Sequence, residues 1–128
     1  MADILVDSSI VIDHLRGHEE ATRYLDQLRF AGSLATHAVV VAEVLIGARD
    51  AHEQREIDRL FHAFAVHHPN EADSALSLDL MRQSRLSSGV GWLDCLITAT
   101  ATRLNLAIAT LNDRHFSVFR SLTTIRPY

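Results

Sequence analysis

A few acidic and amide side chains stand beside apolar runs, where a polar group needs a chemical reason. Asp7 follows "ILV", Glu43 lies within "AVVVAEVLIGA", and Asp94 opens "DCLITATATRLN" after a loop with two glycines. Asn112 and Asp113 come shortly after "LAIAT". Carboxylates gathered in one cleft repel one another, and a divalent cation supplies the missing counter-charge. Ligation by oxygen alone favours Mg²⁺, with Mn²⁺ as a substitute.

Each acid also has a structural interpretation. Asp7 and Asp94 are both placed to be helix N-caps, a position at which aspartate is common. Glu43 would be costly in an apolar helix unless it were paired or bound to a metal, and a pair with Arg49 at the rim of the core would satisfy it. The residues alone leave both interpretations open.

The elements that must position these residues alternate between strand and helix. The pattern predicts strands at 4–6, 33–36, 64–68, 106–110 and 122–126, and helices at 8–16, 19–30, 38–50, 53–63, 71–87 and 93–104. Such alternation predicts an α/β fold with a mainly parallel sheet of four to five strands flanked by helices, in a single domain over residues 1–128. In parallel sheets, ligands bind at the carboxyl ends of the strands, where Asp7 and the 112–113 pair are expected.

Composition excludes several chemistries. The chain has 12 arginines and no lysine. This absence disfavours the sites that use lysine, namely phosphate-binding P-loops, Schiff bases and receiver-type phosphorylation sites. Arginine is nevertheless well suited to forked contacts with phosphate. One cysteine cannot form an internal disulfide and indicates a reducing, cytoplasmic compartment, and no signal peptide or membrane span is visible.

Four motifs in order resemble those of the PIN-domain ribonucleases, and specifically the VapC-type toxins of type II toxin–antitoxin pairs. They are "ILVDSSIVID", "VVVAEVLIGA", "GWLDCLITATATRLNLAIAT" and "TLNDRHF". The resemblance implies that Asp7, Glu43 and Asp94 are catalytic acids and metal ligands, with Ser8 in the family's Ser/Thr position beside the first acid. The family's fourth acid, in T-x-D, falls on the amide Asn112, so a second metal would depend on Asn112 or on Asp113 one place later.

The resemblance further implies that the protein is a Mg²⁺-dependent endoribonuclease. Arg114 and His115 would then face RNA phosphate, and Phe116 would anchor their loop in the core. It implies a cognate VapB-type antitoxin whose tail occupies the cleft, a homodimer, and a toxin–antitoxin hetero-oligomer. A phosphatase is disfavoured because Ser9 stands where that chemistry needs a second aspartate. A catalytically weak or inactive binding or assembly module remains the alternative, and Asn112 is its best support.

Overall fold

The strands form one sheet in which every pairing is parallel. The computed structural model describes residues 2–128. The strands are β1 (Ile4–Val6), β2 (Leu34–His37), β3 (Ala65–His67), β4 (Ala107–Ala109) and β5 (Thr124–Ile125), in the spatial order β3-β2-β1-β4-β5. This arrangement confirms the predicted α/β class.

Seven helices connect the strands within residues 2–128. They are α1 (Ser8–Leu15), α2 (Glu19–Phe30), α3 (Ala38–Ile46), α4 (Ala51–Phe61), α5 (Glu71–Ser88), α6 (Trp92–Leu104) and α7 (Asp113–Phe116). Helices α1 to α4 form the connections from β1 to β2 and from β2 to β3. Helices α5 and α6 connect β3 at one edge of the sheet to β4 on the other side of β1. Right-handed crossovers therefore place α1–α4 on one face of the sheet and the packed α5–α6 pair on the other.

Helix boundaries differ from the sequence prediction in several places. The helix predicted over 38–50 ends at Ile46, and the helix predicted over 53–63 is α4, which begins earlier, at Ala51, where Asp50 Oδ1 accepts a hydrogen bond from Glu53 N at 2.8 Å. Helix α6 begins at Trp92, with Gly91 as its N-cap, one residue earlier than predicted. Residues 113–116 form the short helix α7 where a loop was predicted. At the start of α4 a capping carboxylate, and not apolar periodicity, sets the helix end.

Along the chain, β2 and β3 extend the sheet on one side of β1, whereas β4 and β5 extend it on the other side, so the strand order reverses between β1 and β4. Val6 pairs with Ala109, and the hydrogen bond from Asp7 N to Ala109 O, 2.9 Å long, extends the pairing by one residue. Both strands are buried in the core, as is most of α6 from Cys95 to Ala101. A reversal of this kind opens a crevice at the carboxyl edge of a parallel sheet, where ligands bind. None of the helices in residues 2–128 has both the length and the apolar character needed to cross a membrane.

Candidate functional site

Asp7 occupies the crevice between β1 and β4. Its position is that of the N-cap of α1, but its side chain makes no capping hydrogen bond. Instead, Asp7 Oδ2 accepts hydrogen bonds from Thr110 Oγ1 at 2.8 Å and from Ser9 Oγ at 3.1 Å, and the residue is only 7% exposed. The capping interpretation is therefore wrong for the Asp7 side chain, which two hydroxyl groups hold instead.

The two hydroxyl groups that hold Asp7 are themselves oriented by backbone amides. Leu111 N donates to Ser9 Oγ at 3.1 Å, and Asn112 N donates to Thr110 Oγ1 at 2.9 Å. Because each oxygen already accepts an N–H, its own proton points to Asp7. Asp7 Oδ1 has no hydrogen-bond partner among residues 2–128, which leaves one oxygen available to a ligand.

Ser9 and Thr110 both donate hydrogen bonds to Asp7, and the sequence prediction did not include them among its candidate site residues. Ser8, which was predicted beside the first acid, is the first residue of α1 and makes no side-chain hydrogen bond within the described chain. The signals for the other two were present: Ser9 lies two residues after Asp7, and Thr110 is the threonine of the T-x-D pattern. Recognising them required knowing that β4 lies beside β1.

Glu43 lies half-buried on α3, a helix that packs against α1. Burial raises the pKa of its carboxyl group, and the negative charges of Asp7 and Asp94 raise this pKa further. Arg49, the partner considered from the sequence, pairs instead with Glu53, with 2.7 Å between Arg49 Nη2 and Glu53 Oε2. The interpretation of Glu43 as the partner of Arg49 is therefore wrong, and the three acids share one electrostatic environment.

Asp94 lies in the first turn of α6 and is not its N-cap. Its Oδ2 lies 2.6 Å from His115 Nε2 on α7. Burial raises the pKa of Asp94, and the charge of Asp7 adds to that rise, while His115 opposes it. The structure thus places His115, predicted to face phosphate, on one of the three acids.

The segment from Asn112 to His115 borders a cavity of about 390 Å³, and the lining residue His115 is the one that contacts Asp94. Asn112 is exposed, and Asp113 Oδ1 lies 3.0 Å from an Nη atom of Arg126, which lowers the pKa of Asp113. The same guanidinium donates to Leu111 O at 2.7 Å, so it fastens the chain on both sides of Asn112. Arg114 is exposed and lines the cavity.

The donor chemistry of the three acids fits a hard divalent cation. As the side chains stand, no group of three or more His, Cys, Asp or Glu residues within residues 2–128 is close enough to enclose a metal. However, Asp7, Glu43 and Asp94 offer only oxygen, and the raised pKa of Glu43 registers negative charge from the other two. A divalent cation bound among these oxygens would relieve that repulsion, and oxygen ligands are those that Mg²⁺ and Mn²⁺ prefer.

Comparisons with known proteins agree with this fold. The model of the PIN domain family matches residues 4–121. Ribonuclease VapC10 of Mycobacterium tuberculosis strain CDC 1551 is 42% identical over 120 residues, which cover 93% of this chain and 90% of VapC10. The chain belongs to the PIN-domain family and, within it, to the VapC group.

Two solved structures share the fold over nearly the whole chain. A toxin–antitoxin complex from Klebsiella pneumoniae superposes with a TM-score of 0.79 and 23% identity, covering 98% of both chains. VapBC-1 from nontypeable Haemophilus influenzae gives a TM-score of 0.77 and 21% identity, covering 97% of both chains. At these identities the likeness concerns the fold.

Proposed function

We propose that this protein is a Mg²⁺-dependent endoribonuclease and the toxin of a toxin–antitoxin pair. Membership of the PIN-domain family and 42% identity to a protein named a ribonuclease support the nuclease activity. The observation that carries the metal dependence is the position of Asp7 in the crevice at the carboxyl edge of the sheet, with one carboxylate oxygen free and with its charge raising the pKa of both Glu43 and Asp94.

In this proposal each acid has a separate task. Asp7 and Asp94 are the principal metal ligands, with Asp7 offering the oxygen that Ser9 and Thr110 leave free. A bound Mg²⁺ supplies an activated water and neutralises charge that develops on the phosphate during hydrolysis. Glu43 either completes the ligand set or orients the attacking water and accepts its proton, a task that suits a carboxyl group with a raised pKa.

RNA phosphate would lie across the cavity beside Asp94. Arg114 borders that cavity with an exposed guanidinium, and a planar guanidinium can donate two parallel hydrogen bonds to a phosphate. Ser8, at the first turn of α1, is the candidate contact on the opposite side. His115 holds Asp94 in the free protein and could contact phosphate once a cation takes over that carboxylate.

A second metal ion would bind weakly. Asn112 contributes an oxygen without charge, and Asp113 is already paired with Arg126. Two metals sharing one phosphate need carboxylates between them to offset their charge. We therefore propose one main Mg²⁺ site, with any second ion depending on substrate phosphate as an additional ligand.

The proposed partner is a VapB-type antitoxin, since the solved neighbours include toxin–antitoxin complexes. Glu43 stands at the rim of a groove of about 650 Å³ between α1, α3 and α4, with an apolar floor that includes Ile12, Val44 and Ile57. An antitoxin segment lying in this groove would bring a basic side chain to the acids and block the metal. Dimerisation of the toxin, assembly into a toxin–antitoxin hetero-oligomer and a cytoplasmic location complete the proposal.

Cleavage of total cellular RNA by the purified protein tests the function. We expect new 5′ and 3′ ends in the presence of Mg²⁺, none in EDTA, and none with Asp7→Asn or Asp94→Asn. Asp79→Asn is the matched control, because Asp79 is an exposed carboxylate on α5 that pairs only with Arg82 at 2.7 Å. Cleavage that persists in EDTA or in both active-site variants would refute the metal mechanism.

A second candidate function is a binding or assembly module without catalysis, which the uncharged Asn112 favours. Its signature would be the same RNA ends with wild type and with Asp94→Asn, together with normal binding of the antitoxin. Cleavage by the wild type alone would exclude it.

A further inference from the structure

A chain of buried polar side chains runs from the end of β2 through α6 to α5, away from the cavity beside Asp94. His37 and Thr100 are 0% exposed, and Asp73 is 1% exposed. His37 Nε2 lies 2.9 Å from Thr100 Oγ1, and Thr100 Oγ1 lies 2.8 Å from Asp73 Oδ2. Polar groups buried so completely are costly unless every one of them has a partner, so this chain of hydrogen bonds must be specific.

The direction of each hydrogen bond follows from the backbone. Val39 N donates to His37 Nδ1 at 3.0 Å, so Nδ1 carries no proton and the imidazole proton is on Nε2. That proton is donated to Thr100 Oγ1, whose own proton goes to the Asp73 carboxylate. Burial lowers the pKa of His37 to about 4, although the charge of Asp73 opposes this effect in part. The lowered pKa keeps the imidazole ring neutral.

The far end of the chain is firmly anchored. Arg103 Nε lies 2.7 Å from Asp73 Oδ1, and Arg103 Nη2 lies 3.0 Å from Asp73 Oδ2. Asp73 Oδ2 also accepts from Asn70 N at 3.1 Å, as part of the capping box that starts α5. Thr100 is thus held by a hydrogen bond to the Asp73 carboxylate, which Arg103 and the backbone of Asn70 fix in place.

The chain joins the two helices that hold Glu43 and Asp94. His37 is the N-cap of α3, and Glu43 follows six residues later on that helix. Thr100 lies on α6, six residues after Asp94. One hydrogen bond between His37 and Thr100 therefore ties the start of α3 to the middle of α6, across the end of a strand in the sheet.

We propose that His37 and Thr100 are positioning residues that set the separation between Glu43 and Asp94, and that they thereby control the affinity of the site for a divalent cation. This inference rests on the proposed function, because it assigns a purpose to the spacing of the same acids. The alternative is that the buried chain contributes only to the stability of the fold.

Two substitutions in α6 separate these possibilities. Thr100→Val removes the bridging hydroxyl with little change of shape. Thr98→Val is the matched control: Thr98 is 1% exposed on the same helix, and its hydroxyl has no hydrogen-bond partner among residues 2–128. Thr100→Ser keeps the hydroxyl and should restore the wild-type behaviour.

Mn²⁺ titration by calorimetry, well below the unfolding temperature of each variant, gives the decisive measurement. Loss of a group that orients metal ligands typically weakens binding by about 10- to 100-fold, so we expect Thr100→Val to weaken Mn²⁺ binding by about tenfold. Thr98→Val and Thr100→Ser should bind within about twofold of wild type. On a Glu43→Gln background the effect of Thr100→Val should shrink, because one of the two positioned acids no longer contributes charge.

The outcomes distinguish this inference from the proposed function. If wild type binds Mn²⁺ and cuts RNA but Thr100→Val binds as tightly as Thr98→Val, the chain serves stability alone and the inference is overturned. If wild type does not bind Mn²⁺ at all, the proposed function fails and the inference falls with it. Nitrogen NMR of His37 must in addition show a proton on Nε2, since the other tautomer would contradict the chain as described.

A variant that does not fold would not end the test. Should Thr100→Val fail to fold, His37→Asn cuts the chain from the other side: its amide oxygen can still accept from Val39 N, but its side chain is too short to reach Thr100. The same tenfold weakening of Mn²⁺ binding is expected, and wild-type affinity in this folded variant would overturn the inference.

Discussion

Glu43 shows how one residue can be unfavourable for the fold and useful for a site. Its carboxylate is half-buried beside two other acids, and both conditions oppose its ionisation. No basic side chain in residues 2–128 forms an ion pair with it, because Arg49 is bonded to Glu53. A cation bound beside the Glu43 carboxylate would offset its charge. In the absence of a bound cation, removal of that charge should stabilise the protein.

We predict that Glu43→Gln raises the melting temperature at neutral pH and abolishes RNA cleavage. The folded pKa of Glu43 lies above its unfolded value, so the folded state binds the proton more tightly. The stability of wild type therefore falls as pH rises through that folded pKa, and Glu43→Gln avoids the loss. We expect a gain of about 2–4 °C at pH 7.5 that disappears near pH 4, and a loss of cleavage of at least about 100-fold.

Calorimetric melting of both proteins across this pH range checks the stability part. An equal difference in melting temperature at pH 4 and pH 7.5 would contradict the electrostatic argument. Loss of stability together with loss of activity would instead indicate that Glu43 supports the fold.

At the scale of elements, the end of β4 supports the acid at the end of β1. We predict that Thr110→Val destabilises the protein by about 2 kcal/mol, since a buried hydrogen bond to a charged group is lost. Mn²⁺ binding should weaken by about tenfold because Asp7 is no longer oriented. Ser9→Ala should have a smaller effect, because its hydrogen bond is longer and less buried. Urea unfolding and calorimetry measure the two quantities.

Thr110→Ser provides the control, since it retains the hydroxyl group. Unchanged Mn²⁺ affinity in Thr110→Val, despite the loss of stability, would mean that Asp7 is either held by its surroundings or not a ligand.

The elements themselves were largely predictable from the sequence. Every strand was predicted to within two residues, and the buried central strands β1 and β4 were the clearest because they read as short continuous apolar segments. The division into α3 and α4 was predicted, but the end of α3 was placed four residues too late and the start of α4 two residues too late, and the short α7 was missed. Helix α7 is only four residues long, too short for any periodicity to show.

The site was predictable only in part. Asp7, Glu43 and Asp94 stood out because each is a carboxylate next to an apolar run, and the structure brings them into one electrostatic environment. Their roles as metal ligands stay a prediction. The hydrogen-bond partners of these acids were not visible, because His115 is 21 residues from Asp94 and Thr110 is 103 residues from Asp7.

At the scale of the whole molecule, the negative net charge predicts that the protein attracts RNA only weakly and only at a local group of arginines. The formal net charge is −4, so the protein has no general attraction for a polyanion, and only a few arginines near the cavity can meet phosphate. We predict a shallow salt dependence of RNA binding, with a slope of log K against log salt of about −1.4 to −2.1, as for two or three phosphate contacts on a single strand. Arg114→Gln should reduce this slope by about 0.7.

Binding should be measured on the Asp7→Asn background, so that the RNA is not cut. Arg82→Gln is the control, because Arg82 is exposed on α5 and pairs with Asp79. A slope that falls equally in both variants would show that Arg114 has no special contact with RNA.

The long separation between Asp7 and Thr110 also has a consequence for the life of the chain in the cell. Asp7 leaves the ribosome well before the strand that pairs beside it and the hydroxyl that orients it, because that hydroxyl follows 103 residues later. At ordinary rates of translation that delay is on the order of ten seconds. A nascent or interrupted chain contains Asp7, Glu43 and even Asp94 without the crevice that unites them. If the protein is the RNA-cutting toxin proposed above, it stays harmless to its own messenger until β4 and Thr110 have been made and have folded beside β1.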